Sequence, residues 1–181
     1  MGFSPNQLYR RDGYRSNEHE LEDQSFHYRL SDNISLYGIF DGHNGAEAAN
    51  FAVQRMPAEI LLGQLSEHST EEEIRYVLRQ AFLSVERVYF EDVIGQQLAE
   101  RTALLSEIPE GQDVYETLSH YPPQRGKLES LNREVSSGTS AVVVLIFHGR
   151  LYVANVGDSR ALLCRTGEDG VLRVGTCLVL L

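Results

Sequence analysis

Hydrophobic positions along the chain follow two different periods. In Ser25–Leu30 (SFHYRL) and Ile34–Phe40 (ISLYGIF), apolar and aromatic residues partly alternate with polar ones, the pattern of half-buried strands. Ser31-Asp32-Asn33 between them is a turn cluster, so the two strands form a hairpin that ends at Asp41. From Ala46 the period becomes helical: Ala49, Phe51, Ala52, Val53, Met56, Ile60 and Leu61 recur at helix spacing through Leu65. Asn44 is the expected cap of this helix, with Glu47 three residues on, and Pro57 the expected kink. Thr70 and Glu73 make a capping box for a second helix, whose face is Ile74, Val77, Leu78, Ala81, Phe82, Val85 and Tyr89. Its periodicity continues, less strictly, to about Leu105. A short link between two long helices predicts an antiparallel pair.

Residues 109–126 hold three prolines and two glycines and are expected to be a loop or insertion. Lys127–Val135 reads as a short helix, broken by Ser136-Ser137-Gly138-Thr139. Ser140–Phe147 is almost wholly apolar and β-branched, as a buried central strand is. Leu151–Val156, Arg160–Arg165 and Val171–Val174 follow as shorter strands, separated by glycine-containing turns. Strands, two helices and strands again predict an α+β fold, with the helices on one face of an antiparallel sheet.

Composition narrows the function. A chain of 181 residues, 42% hydrophobic and 23% charged, suits one ordinary domain. A net charge of −10 argues against nucleic acid and against an anionic membrane surface as partners. The longest apolar run, Ala141–Phe147, is far too short to span a bilayer. Cys164 and Cys177 lack metal-ligand spacing and fit a reducing compartment, where their thiols are expected to be buried or inert. The expected location is the cytoplasm, with the nucleus as the other possibility.

Acidic residues follow or begin strands at three places: Glu22-Asp23, Asp41 in FDGHNG, and Asp158 in NVGDSRA. Hard divalent cations such as Mg²⁺ or Mn²⁺ take carboxylate and carbonyl oxygens, and Gly42 beside Asp41 lets a backbone carbonyl approach an ion. His43 is a candidate general acid or simply a helix-start residue. Asp-Gly and Asp-Ser are also common turns, so spacing alone leaves both interpretations open.

In combination and in order, LEDQSF, LYGIFDGHNG, a long helical hairpin and SGTSAVVVLIFHGRLYVANVGDSRALLC resemble the metal-dependent PPM-type (type 2C) serine/threonine phosphatases. The resemblance runs from about Glu18 to Val174, leaving 1–17 as an N-terminal arm and 175–181 as a divergent tail. It implies a β-sandwich with flanking antiparallel helices. Glu22 then stands where the family has a first-strand metal ligand, Asp41 where a carboxylate bridges two ions, Gly42 where a carbonyl is supplied, His43 where a general acid is suspected, and Asp158 where a third ion is held. The implied reaction is attack by metal-activated water on phosphoserine or phosphothreonine.

Two departures matter. Glu18 occupies the position of the family's phosphate-gripping arginine, with Arg15 nearby as a substitute. The later aspartates that complete the family's metal pair have no counterpart here, which implies a silent domain and a strand, Ala141–Phe147, left with an exposed edge prone to aggregation, in a marginally stable fold. The phrases NFAVQRMPAEILLGQL and LYVANVGDSRALLC are most similar to the phosphatase-like adaptors of TGF-β-activated kinase signalling. The expected function is therefore a catalytically silent adaptor that binds a protein kinase or phosphoprotein. The alternative is a working metal-dependent phosphatase or a fragment of one.

Overall fold

The structure, a computed structural model, describes residues 21–62, 65, 66 and 68–177. The expectations for the 1–17 arm, for Arg15 and for Glu18 lie outside these residues.

Strands β1 (Gln24–Ser31), β2 (Ile34–His43), β3 (Gly138–Phe147) and β4 (Arg150–Val156) form one antiparallel sheet in that spatial order. Its inward face carries Phe26, Leu36, Phe40, Ala141, Val143, Leu145, Phe147, Tyr152 and Ala154. These pack on Ala49, Ala52, Met56 and Ile60 of α1 (Glu47–Leu61) and on Ile74, Leu78, Ala81 and Val85 of α2 (Glu71–Val88). Full burial of each large side chain contributes about 1.5–3 kcal/mol, and Phe40, Leu36 and Leu145 are wholly buried. The α+β architecture with helices on one sheet face is thus the one the two periods predict.

The capping box forms as expected: Thr70 N donates to Glu73 Oε2 at 2.7 Å and Glu73 N to Thr70 Oγ1 at 3.3 Å. The Thr70 backbone bond, with the Thr70 hydroxyl, holds the Glu73 carboxyl below the usual range. Beyond α2 the helix continues through a π-helical turn, Tyr89–Ile94, into α3 (Gly95–Ser106). That turn re-phases the apolar face and seats Tyr89 and Ile94 against Ala48.

Three expectations need correction. Residues 109–126 are not a loop: Asp113 caps α4 (Val114–Ser119), its Oδ1 accepting from Glu116 N at 2.8 Å, and α5 spans Pro122–Ser136. The paired prolines start α5, where missing N–H groups cost nothing, and Leu118 and Leu128 bury against Leu104. β3 is not an edge strand, since β2 and β4 flank it. The cap position of α1 is Ala46, with no side-chain bond, and Asn44 has another role described below.

A separate hairpin, β5 (Ala161–Thr166) and β6 (Leu172–Cys177), exposes Leu162, Leu163, Leu172 and Val174. It also exposes Cys164, so of the expected buried or inert thiol the burial does not hold there. Among the described residues no helix is long and apolar enough to cross a membrane.

The packing makes a graded prediction for urea unfolding. Leu145→Ala opens a cavity under the central strand and costs about 2–5 kcal/mol. Thr70→Ala removes only the exposed cap and costs about 1 kcal/mol. Equal midpoint shifts for the two variants would contradict this placement of the core.

Candidate functional site

Strand alternation sorts β2 into two sets. Leu36, Gly38, Phe40 and Gly42 are buried toward the helices, whereas Asp41 and His43 lie exposed on the opposite face. Pairing with β3 sets Asp41 opposite Ser140, Gly42 opposite Thr139 and His43 opposite Gly138. The His43 ring lies over Gly138, where any β-carbon would collide with Nε2. The Thr139 hydroxyl sits 3.1 Å from the Asp41 carbonyl and 2.8 Å from that of Ser140, a shared contact that fixes the end of β2.

Glu22 reaches this end from just before β1. Its backbone carbonyl presses so closely on Gly42 that a β-carbon there has no room. Its Oε1 accepts a hydrogen bond from Gly45 N at 2.7 Å. The connection from β2 to α1 is tied down further by α5 and the residue after it. Asn44, in the left-handed region at φ 58°, donates from Nδ2 to the Ser136 carbonyl at 3.3 Å. The Ser137 hydroxyl donates to the Gly45 carbonyl at 3.2 Å and accepts from Ala48 N at 3.2 Å.

Asp158 arrives from the other side. It is exposed in the turn after β4, where Gly157 adopts φ 103° and a β-carbon would come within 2.5 Å of Ser140 Cβ. Ser140 Oγ and Ser159 Oγ are 2.6 Å apart, and buried Asn155 donates to the Ser159 carbonyl at 2.8 Å. Ser140 therefore separates the Asp41 backbone from the turn that bears Asp158.

Glu22, Asp41, Gly42, His43 and Asp158 thus share one end of the sheet, but they do not converge. Among the described residues, no three His, Cys, Asp or Glu side chains gather closely enough to hold a metal ion. Glu22 has one oxygen committed to Gly45. The described residues do not by themselves fit a dinuclear centre. An apolar cavity of about 350 Å³ lies behind the site, between the helices and the sheet, lined by Phe40, Met56, Phe82, Tyr89 and Ala141. Asp41 and Asp158 do not line it.

Sequence reasoning missed Ser137, Thr139, Ser140 and Ser159, which hold the turns together. Their only signal was a run of small polar residues at a strand start. Tyr89 falls on the apolar helix face as expected, but the pattern did not show that its buried hydroxyl lies beside Ser137 without an aligned hydrogen-bond partner among the described residues. Burial pushes the Tyr89 phenol above its ordinary value near 10, Ser137 opposes the shift, and Glu47 and Glu134 add to it.

Two predictions follow from this packing. Gly42→Ala forces Glu22 and the Asp41 turn apart and lowers the melting temperature by several degrees, read by circular dichroism. The raised Tyr89 phenol keeps its proton more tightly in the folded chain, so it contributes stability below pH 10 that is lost as pH rises further. Tyr89→Phe should flatten the alkaline limb of a stability–pH curve and leave the neutral region's slope unchanged.

Comparison with known proteins agrees with the geometry. The protein phosphatase 2C family model matches residues 5–174. A protein kinase and PP2C-like domain-containing protein of Arabidopsis thaliana is 29% identical over 164 residues, covering 87% of this chain and 20% of that protein. Protein phosphatase 2C 1 of Paramecium tetraurelia is 31% identical over 150 residues, covering 82% of this chain and 40% of the relative. Probable protein phosphatase 1N of Homo sapiens is 31% identical over 134 residues, covering 74% and 22% respectively. The chain spans between about a fifth and two fifths of these relatives' length. With a family match over nearly its whole extent, and with the FDGHNG and NVGDSRA turns brought to one end of an antiparallel sheet, this chain belongs to the protein phosphatase 2C family.

Proposed function

We propose that this chain is a phosphatase 2C-like domain that is catalytically silent by itself and serves as an adaptor in TGF-β-activated kinase signalling, in the cytoplasm or nucleus. The observation that carries the silent role is the donor set at the sheet end. Glu22 is tied to the Gly45 amide, and among the described residues no three His, Cys, Asp or Glu side chains gather closely enough to hold an ion. A two-metal phosphatase depends on several carboxylates, because charge must be balanced and geometry held. The adaptor role rests on the likeness carried by NFAVQRMPAEILLGQL and LYVANVGDSRALLC, and its partner class is a protein kinase or a phosphoprotein.

A second reading, a working metal-dependent serine/threonine phosphatase, is favoured by one observation. Asp41, Gly42, His43 and Asp158 keep the family motifs and lie at the same sheet end. In that reading Mg²⁺ or Mn²⁺ would supply the activated water and the clamp on the phosphoryl oxygens.

One pair of measurements separates them. Calorimetry with Mn²⁺ should find no pair of tightly bound ions, and a phosphothreonine peptide should not be hydrolysed above the level of Asp41→Ala. Turnover that Asp41→Ala abolishes would establish the phosphatase instead. For the adaptor role, purified TGF-β-activated kinase should be retained on the immobilised chain; no retention at micromolar concentrations would reject that partner.

A further inference from the structure

Asn44 and Gly45 form the one Asn-Gly pair in the chain. Such a pair carries its own chemistry. The glycine nitrogen can attack the asparagine side chain because glycine offers no side chain to obstruct the approach. In that reaction a bond forms between Gly45 N and Asn44 Cγ, the N–H proton is lost, and Nδ2 departs as ammonia. The resulting succinimide is opened by water at either carbonyl, leaving an aspartate or an isoaspartate at position 44. The sum is amide plus water to carboxylate plus ammonium, with no oxidant or other reactant.

The structure holds each participant apart. The nucleophile, Gly45 N, donates to Glu22 Oε1 at 2.7 Å. The leaving group, Asn44 Nδ2, donates to the Ser136 carbonyl at 3.3 Å. The Gly45 carbonyl, which takes no part in the ring, accepts from Ser137 Oγ at 3.2 Å and fixes the turn around the reacting atoms. Asn44 and Gly45 are further fixed at φ 58° and φ 121°, while the Asn44 side chain is exposed to the water that the second step needs. Ring closure requires Gly45 N to leave Glu22 and swing onto Cγ, which breaks the shortest of these bonds.

We propose that Asn44-Gly45 is a latent deamidation site, locked by the Glu22 carboxylate and released whenever that hydrogen bond opens. Conversion adds a negative charge one residue from His43 and three from Asp41, and it removes the amide donor that holds the turn to Ser136.

Peptide mapping by mass spectrometry of the whole chain, incubated at mildly alkaline pH, tests this. The folded chain should convert at position 44 at least about tenfold more slowly than a synthetic peptide of the same segment, since one charge-assisted hydrogen bond must open first. Glu22→Ala should lose most of that protection, whereas Glu22→Gln, which keeps an acceptor oxygen, should stay near the parent. Conversion of the parent at the peptide's rate, or a folded Glu22→Ala no faster than the parent, overturns the proposal. If circular dichroism shows Glu22→Ala unfolded, Ser137→Ala decides. It frees both the Gly45 carbonyl and the Ala48 amide, loosening the turn beside the Glu22 bond, and should give an intermediate rate; an unchanged rate overturns the proposal.

Discussion

The pairing of β2 with β3 is the constraint on which the molecule depends. Ten residue pairs run without interruption from Ile34 opposite Phe147 to His43 opposite Gly138. Because side chains alternate, this one register decides that Phe40 and Val143 enter the core and that Asp41 and His43 leave it. A slip by one residue would bury a carboxylate and expose a phenylalanine, at a cost of several kcal/mol for the unpaired charge alone. The same ladder delivers Ser137, Gly138 and Thr139 to the end of β2, where they fix the turn. Core and site are therefore two faces of a single hydrogen-bonded register.

A set of hydrogen bonds holds the site end. Glu22, Thr139, Ser136 and Ser137 each satisfy a backbone or amide group of the residues between Asp41 and Ala48. A structural metal site draws its ligands together through the ion, and its folding energy comes with the ion. Here the turn is already formed by protein groups. The cost appears elsewhere: Asn155 Oδ1, Gln97 Oε1 and the Tyr89 hydroxyl are buried without an aligned partner among the described residues.

Much of this was legible in the sequence, for identifiable reasons. Alternation revealed β1 and β2, a continuous apolar run revealed β3, and Thr70 with Glu73 marked the start of α2, because each signal is local. Residues 109–126 misled because proline is a breaker inside a helix but a starter at its first turn, and composition does not say which end a proline occupies. Asn44 misled for a related reason: its side chain bonds to Ser136, 92 residues away in sequence, instead of capping the adjacent helix. Asp41, Gly42, His43 and Asp158 were found through motifs. The serines and the threonine that position them were not, since a small polar residue at a strand start has the same appearance whether it braces a turn or merely interrupts a helix.

The charge at the sheet end bears on how a partner can be held. Glu22, Asp41 and Asp158 place three carboxylates around the start of β3 in a chain whose net charge is −10. Asp41 and Asp158 are exposed, so water and salt damp their field beyond about 8–10 Å, but within that distance they repel a phosphate dianion. In an active phosphatase two divalent ions reverse that sign locally. Where the carboxylates stand without such ions, a phosphorylated side chain is repelled from the turn after β2. The exposed apolar side chains of the β5–β6 hairpin, Leu162, Leu163, Leu172 and Val174, carry no such repulsion. The two surfaces thus differ in kind: burying apolar side chains is favourable, whereas bringing phosphate against three carboxylates is not.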